Sequence, residues 1–237
     1  MDGKIAIVSD IHANKYALHE FLKFIDEERI KCVLNLGDFL QIGPNPSEVL
    51  SVILNDTRFI NILGNNETSL FEIDESNQSE ENLHRIWTRN KINDNFERVK
   101  LLTNYKIIEK NDIKILMIHS RINDMEGMPL FYINNLDAFA KDYEEYSTDV
   151  VLFGHTHEKF YLEHDNKIYI NPGSLGCSKN ETVDFCIIEI DKNKILNCNF
   201  KSIEYNKSEL IKDYYRNDIP DKEFILKTFF YYSNGDK

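Results

Sequence analysis

A chain of 237 residues with 42% hydrophobic side chains can bury a full core, and its length suits one large domain rather than two. Its 40 acidic residues against 28 basic ones leave a formal charge of -12, which excludes a binder of nucleic-acid polymers that relies on a positive field; a small anionic substrate would need local positive charge such as metal ions. The cysteines Cys32, Cys177, Cys186 and Cys198 show no Cys-x-x-Cys spacing, and no stretch reads as a membrane span or export signal, so the composition predicts a cytoplasmic protein with reduced thiols and no membrane partner.

Ile5-Ala6-Ile7-Val8 is a continuous apolar run of the kind buried on both faces of a sheet, and it ends in Ser9-Asp10-Ile11-His12. Asn14 is placed to cap a helix with Leu18, Phe21, Leu22 and Ile25 on one stripe, closed by Glu27-Glu28-Arg29, and His19 falls off that stripe. The next strand, Cys32 to Leu36, delivers Gly37-Asp38, and because no helical pattern starts there Asp38 reads as a ligand rather than a cap. Asn45-Pro46-Ser47-Glu48 combines an N-cap residue, proline at the first helical position and glutamate at the third, which predicts a helix from Pro46 to Asn55. Phe59 to Leu63 then runs into Gly64-Asn65-Asn66-Glu67, a polar group presented behind a glycine, although a plain turn explains Gly-Asn equally well. A helical cap inserted over about 67–104 is expected beside the strand ends, with Leu83, Ile86 and Trp87 on one stripe, Phe96, Val99 and Leu102 on another, and His84 a bystander.

Lys106 to Glu109 and Ile113 to Ile118 flank Lys110-Asn111-Asp112 as a hairpin whose second strand ends in His119-Ser120-Arg121. Asp137 to Tyr146 has the spacing of a short helix. Val150 to Phe153 follows as a buried strand stopped by Gly154, which lets the chain turn and present His155 and His157 at alternate positions. That spacing suits a pair of adjacent metal ions, and a strand-to-loop turn with solvated histidines is the alternative for the motif in isolation. Phe160 to Glu163 and Lys167 to Ile170 pair around His164-Asp165-Asn166 and end in Asn171-Pro172-Gly173-Ser174, with His164 assigned to the turn. Phe185 to Ile190 and Ile195 to Glu204 pair around Asp191-Lys192-Asn193. A C-terminal helical pair over about 207–232 carries the stripes Leu210, Ile211, Tyr214, Tyr215 and Phe224, Ile225, Thr228, Phe229, whose aromatic content reads as core packing. With no repeat or linker, 1–237 is expected to be a single domain.

The apolar runs therefore end in Asp10 and His12, Asp38, Asn65, His119, and His155 and His157, all types that bind borderline transition metals. In open α/β sheets functional groups gather where loops leave the strand ends. The set suffices for two ions with one carboxylate between them, and two metals about 3.5–4 Å apart can hold a shared water as hydroxide and clamp a phosphoryl group for in-line attack.

The ordered set Asp10-Ile11-His12, Gly37-Asp38, Gly64-Asn65-Asn66-Glu67, His119 and Gly154-His155-Thr156-His157 resembles the calcineurin-like metallophosphoesterase superfamily over nearly the whole chain. Within it the chain looks most like bacterial phosphoesterases related to diadenosine tetraphosphatases, through Gly43-Pro44-Asn45-Pro46-Ser47-Glu48-Val49, Trp87-Thr88-Arg89, Asn171-Pro172-Gly173-Ser174-Leu175-Gly176 and the paired C-terminal helices. The resemblance implies an α/β (α+β) four-layer sandwich, two facing mixed β-sheets flanked by helices. It implies two divalent transition-metal ions, with Asp10, His12 and His157 on one, Asn65, His119 and His155 on the other, and Asp38 bridging. Manganese is preferred by resemblance; iron, cobalt, nickel and zinc suit the same donors.

One position departs from the pattern. Most members of the family carry histidine after Gly-Asn, where it is proposed to assist the leaving group; this chain has Asn66, which can donate a hydrogen bond but cannot titrate near neutral pH. Asn66, Glu67 and Asp38 are thus the expected catalytic residues, with leaving-group assistance weakened, and the expected substrate is a small nucleotide-like phosphodiester or phosphoanhydride. Arg121, Asn171 and Ser174 are candidate substrate-binding residues, and Cys177 reads as a bystander close to the site. Competing readings are a phosphomonoesterase, a serine/threonine phosphoprotein phosphatase, and a non-catalytic scaffold of the kind found in a membrane-coat complex. The complete ligand types weigh against the scaffold, and no motif specifies an oligomeric state.

Overall fold

In the first strand, β1 (Lys4–Val8), Ile5 and Ile7 enter one apolar cluster while Ala6 and Val8 enter another, and both are closed to water. Such two-sided burial needs a layer on each face, and it sets the architecture of the molecule. The computed structural model describes residues 3–121, 124–127, 136–191 and 194–232. After β1 the elements run α1 (Lys15–Glu27), β2 (Val33–Asn35), α2 (Pro46–Asn55), β3 (Phe59–Asn61), α3 (Asn65–Thr68), α4 (Glu80–Lys91), α5 (Phe96–Val99), β4 (Tyr105–Lys110) and β5 (Ile113–Ile118). The second half runs α6 (Leu136–Lys141), β6 (Val150–Leu152), β7 (Lys159–His164), β8 (Lys167–Pro172), β9 (Thr182–Asp191), β10 (Lys194–Glu204), α7 (Lys207–Arg216) and α8 (Lys222–Phe230).

Two mixed sheets of five strands face each other, one in the order β10-β9-β1-β2-β3 and the other β4-β5-β6-β8-β7. In the first, β1, β2 and β3 are parallel and the β9–β10 hairpin adds antiparallel; in the second, β5, β6 and β8 are parallel with antiparallel strands at both edges. Alternation sorts the side chains into layers. Ile5, Ile7, Leu34, Ile115, Met117, Val150, Leu152 and Ile188 fill the space between the sheets. Val33, Phe185 and Ile187 face α1, α2 and the C-terminal helices, while Leu116, Val151 and Tyr169 face Phe139 of α6. The result is the α/β/β/α sandwich that the family resemblance implies.

Local signals account for most boundaries. Asn14 caps α1 by accepting from the Ala17 N–H at 3.1 Å. Two hairpins turn through paired left-handed residues, Asn111 and Asp112 at φ 52° and 60° and Asp165 and Asn166 at 49° and 59°, the geometry that matches strand twist. Of the third predicted turn, Lys192 and Asn193 lie outside the described residues.

Four expectations are corrected. Asn45 precedes α2 but makes no capping bond; its Nδ2 reaches 168 residues along the chain to Asp213 at 2.9 Å, a buried carboxylate that also takes the Tyr16 hydroxyl and the Lys15 ammonium. In α4 the buried face is Asn82, His84 and Thr88, not Leu83, Ile86 and Trp87, because the helix docks on loop backbone. Asn82 donates to the carbonyls of Asp74 and Asn77, and His84 Nδ1 to that of Pro220 at 3.3 Å. In α8 the buried residues are Ile225, Leu226 and Phe230, leaving Phe224 59% exposed and Thr228 in solvent. The helix predicted over Asp137 to Tyr146 stops at Lys141. At the end of α8 the buried ammonium of Lys207 donates to the carbonyls of Phe230 and Lys179, both at 2.8 Å.

Burial pushes His84 down to about 4 from an ordinary value of 6.5. As pH falls through 6.5 the unfolded chain takes up a proton that the folded chain refuses until about 4, so stability is lost across that window on acidification. Replacing His84 with Asn keeps an N–H for Pro220 and removes the titration. Between neutral pH and about pH 4.5 the variant should lose roughly 2–3 kcal/mol less stability than the wild type in urea unfolding, and parallel pH profiles would contradict this.

Candidate metal centre

The parallel strands of both sheets point their C-terminal ends to one side, and there the backbone abandons extended geometry. Asp10, His12, Asp38, His155 and His157 all have positive φ, at 54°, 44°, 53°, 68° and 58°. Each such residue costs about 1–3 kcal/mol and persists where surrounding structure imposes it. Here the loops are cross-laced by main-chain bonds: Asp10 N to Gly37 O at 3.0 Å, His12 N to Asp38 O at 2.9 Å, Gly154 N to His119 O at 2.8 Å and Gly176 N to Asp10 O at 2.9 Å. Gly154 is required for closeness rather than for turning. Its φ is not positive, but a Cβ there would lie 1.9 Å from Ser9 Oγ and 2.8 Å from Asp10 Oδ2, so only glycine lets β1 and β6 end side by side. Gly64 plays the same part for Asp38, whose Oδ1 would sit 2.1 Å from an added Cβ.

This packing brings Asp10, His12, Asp38, Asn65, His119, His155 and His157 together. On one side His12 Nε2 and His157 Nε2 are 3.0 Å apart and lie 3.6 and 3.3 Å from Asp10 Oδ1. On the other His119 Nε2 is 3.3 Å from Asp38 Oδ2, and His155 Nδ1 is 3.2 Å from Asn65 Oδ1. Ligand atoms of Asp10, His12 and Asp38 fall within 4.8 Å of one another, so Asp38 stands between the two groups. A cation about 2.1 Å from each donor imposes donor-to-donor edges of roughly 3.0–3.4 Å, close to the separations seen.

The electrostatics agree with a cation. Asp10, Asp38 and Glu67 are buried carboxylates. Burial alone would push Asp10 up, but His157 and His12 hold it well below the usual carboxylate range. Burial opposes charge on His119 too, yet Asp38 drives it up to about 10, a field that a divalent ion would satisfy while freeing the imidazole as a ligand. His119 Nδ1 donates to Leu36 O at 2.8 Å, which fixes the ring and turns Nε2 toward Asp38. His119 Nε2 and Asp10 Oδ1 are buried atoms with no hydrogen-bond partner. Orphaned donors of the right type at the right spacing fit a metal pair.

Glu67 is fully buried and accepts three backbone N–H groups, from Asp38 at 2.8 Å, Leu40 at 2.8 Å and Gly64 at 2.9 Å. It fastens the loop carrying Asp38 to the one carrying Asn65. Burial and the nearby Asp38 push its carboxyl up to about 8 against the N–H groups of Gly64 and Leu40. Asn66 donates through its backbone to Asp38 Oδ1 at 2.9 Å and through its side chain to Asp38 Oδ2.

The three candidate substrate residues are put to other use. Arg121 is held bidentately by Asp142, at 2.8 and 3.2 Å. Asn171 is buried and spans Gly154 O, Thr156 Oγ1 and Gly173 N, while Ser174 Oγ donates to Asp10 O and accepts from Cys177 N. They shape the loops beneath the site. Cys177, read as a bystander, has its Sγ within 4.8 Å of ligand atoms of His12 and His157, and burial raises its thiol.

Above the ligands lies a cleft of about 420 Å³. Its far wall includes Ile42, Phe224, Ile225 and Phe229 with His84, none of them singled out from the sequence as site residues. Their distance along the chain hides them, since a helix face that looks like core packing shows its role only when its partner is known.

Residues 4–193 match the calcineurin-like phosphoesterase superfamily domain. The chain belongs to this superfamily. It is a metal-dependent phosphoester hydrolase. An uncharacterised protein of Methanocaldococcus jannaschii is 26% identical over 240 residues, covering 92% of this chain and 94% of its own length. A phosphodiesterase of the same organism is 23% identical over 171 residues, covering 72% and 82%. A metallophosphoesterase from Sphaerobacter thermophilus shares the fold at a TM-score of 0.73 and 21% identity, over 92% of this chain and 95% of that one.

Glu67→Gln in this phosphoesterase replaces one acceptor oxygen by an amide that faces backbone donors. Metal affinity should fall about 10–100-fold, as for other residues that position ligands, while urea unfolding still shows a cooperative transition. Calorimetric Mn²⁺ titration measures this, and unaltered affinity would refute the positioning role.

Proposed function

We propose that this phosphoesterase hydrolyses phosphodiester or phosphoanhydride bonds of a small, nucleotide-like substrate at a pair of divalent transition-metal ions held by Asp10, His12 and His157, by Asn65, His119 and His155, and by Asp38 between them. The observation that carries the reading is the convergence of these donors around Asp38 at the floor of an open cleft. When bound, such a pair activates water at neutral pH and polarises phosphoryl oxygens. Manganese is the preferred metal, with iron, cobalt, nickel and zinc chemically suitable for these nitrogen and oxygen donors.

The residues of the chain decide which esters react. Asn66 spends its amide N–H on Asp38, steadying the shared carboxylate, and has no proton to give a departing oxygen. No histidine stands behind Gly64-Asn65 to do so instead. A leaving group that is already a weak base, such as a nucleotide phosphate or an aryl oxide, then departs more readily than an alkoxide. The M. jannaschii relative named a phosphodiesterase supports the diester side of this choice. A phosphomonoesterase, a phosphoprotein phosphatase or a scaffold accounts less well for Asn66 and for the complete donor set.

Among the described residues no helix is long and apolar enough to cross a membrane. The cytoplasmic setting proposed for the protein rests on its cysteine usage, four residues without Cys-x-x-Cys spacing.

With Mn²⁺ added, the protein should hydrolyse bis(p-nitrophenyl) phosphate and lose that activity on chelation, with simple alkyl monoesters turned over far more slowly. Asn66→His should raise alkyl-ester turnover toward the lower end of the roughly 10²–10⁴-fold that general acid catalysis supplies, and aryl or anhydride turnover by less. A clear preference of the wild type for alkyl monoesters would overturn the assignment.

A further inference from the structure

We infer that the wall facing the metal ligands recognises one uncharged, planar aromatic arm and turns away substrates that carry a second phosphate, which narrows the two bond types proposed above to the phosphodiester. The inference rests on the catalytic reading above and names the substrate class for that same site. The family match ends at residue 193, so α8, which builds this wall, belongs to the part of the chain beyond it.

The wall is apolar where it meets the ligands. Phe229 lies 6.3 Å from His157, ring centroid to ring centroid, and Ile42 and Ile225 continue the surface. Phe224 lines the same cleft while 59% exposed. A large exposed aromatic ring costs solvation wherever it stands, and one lying across a phosphoester site offers a planar group a face to stack on.

Charge sorts the arms further. The side chains at the outer edge of the wall are Glu81 and Asp221, with Glu80 accepting from the Asp221 N–H. Among the described residues no lysine or arginine lines the cleft. Arg85 is paired with Glu81, and Arg121 is held by Asp142 and lies 3.6 Å from Asp124. A phosphodiester brings a single negative charge, which the ligand face would receive, and its arm then meets aromatic surface. An arm ending in another phosphate would meet a net negative edge, the carboxylates of Glu80, Glu81 and Asp221 against the single guanidinium of Arg85. A mononucleoside or aryl diester satisfies both conditions, and a dinucleoside polyphosphate fails the second.

Substrates with a common p-nitrophenolate leaving group isolate the arm. With Mn²⁺ present, kcat/KM for thymidine 5′-(p-nitrophenyl phosphate) should exceed that for methyl p-nitrophenyl phosphate by about tenfold or more, the scale of one base stacked on an aromatic ring. Phe224→Ala, at an exposed position that the fold tolerates, should remove most of that advantage through KM rather than kcat. The 3′-phosphorylated form of the thymidine substrate should be the poorer of the two, and Glu81→Gln with Asp221→Asn should narrow the gap. Equal kcat/KM for the thymidine and methyl esters, an advantage that survives Phe224→Ala, or a preference for the 3′-phosphorylated form would overturn this inference while leaving hydrolysis intact. Absence of Mn²⁺-dependent hydrolysis of every ester, the methyl one included, would overturn it together with the catalytic reading.

Discussion

The site depends on a carboxylate that the protein has buried and then surrounded. Asp38 sits at positive φ on the loop after β2, takes two hydrogen bonds from Asn66, and faces His119 across 3.3 Å. Left alone, an ion so deeply desolvated would be strongly unfavourable. The molecule offsets that with donors from both sheets, and the arrangement makes divalent cations the natural partners. Glu67 adds a further buried carboxyl group whose role is mechanical: with three main-chain N–H groups on its oxygens, it keeps the loops after β2 and β3 in register.

Why the strain at these loops survives follows from the core. Ile5, Ile7, Ile115, Met117, Val150 and Leu152 lock the central strands of the two sheets face to face, so the loops leaving them have little freedom to relax. Five ligand-bearing positions in left-handed geometry are the local cost, and close contacts at Gly154 and Gly64 are the means by which the strand ends come near enough. The apolar interior and the polar site are in this sense one construction.

The buried central strands were legible because each is a short, two-sided apolar run, and a continuous run such as Ile5-Ala6-Ile7-Val8 has few other places to go, while their arrangement in two facing sheets came from the family resemblance. The converging donors were legible for a related reason, since each interrupts an apolar run at its end, and their order along the chain resembles a known family. What escaped were side chains whose partners lie far away in sequence. Asn45 looks like a helix cap and serves Asp213; Asn82 and His84 look like the polar face of α4 and are its buried face. The aromatic stripe on α8 is shared between core and cleft, Phe230 going one way and Phe224 the other. Helical spacing specifies that a stripe exists but not what it is pressed against. Arg121 shows the reverse error, a phosphate-shaped fork already occupied by Asp142.

The way α8 is fastened has a consequence for how the cleft measures its occupants. The carbonyl of Pro220, just before the helix, is tied to His84, and the carbonyl of Phe230 at its end is tied to Lys207. The position of the helix over the strand ends therefore hangs on side chains from two other parts of the chain, and the width of the cleft is set by His84 and Lys207 as much as by the loops that carry the ligands.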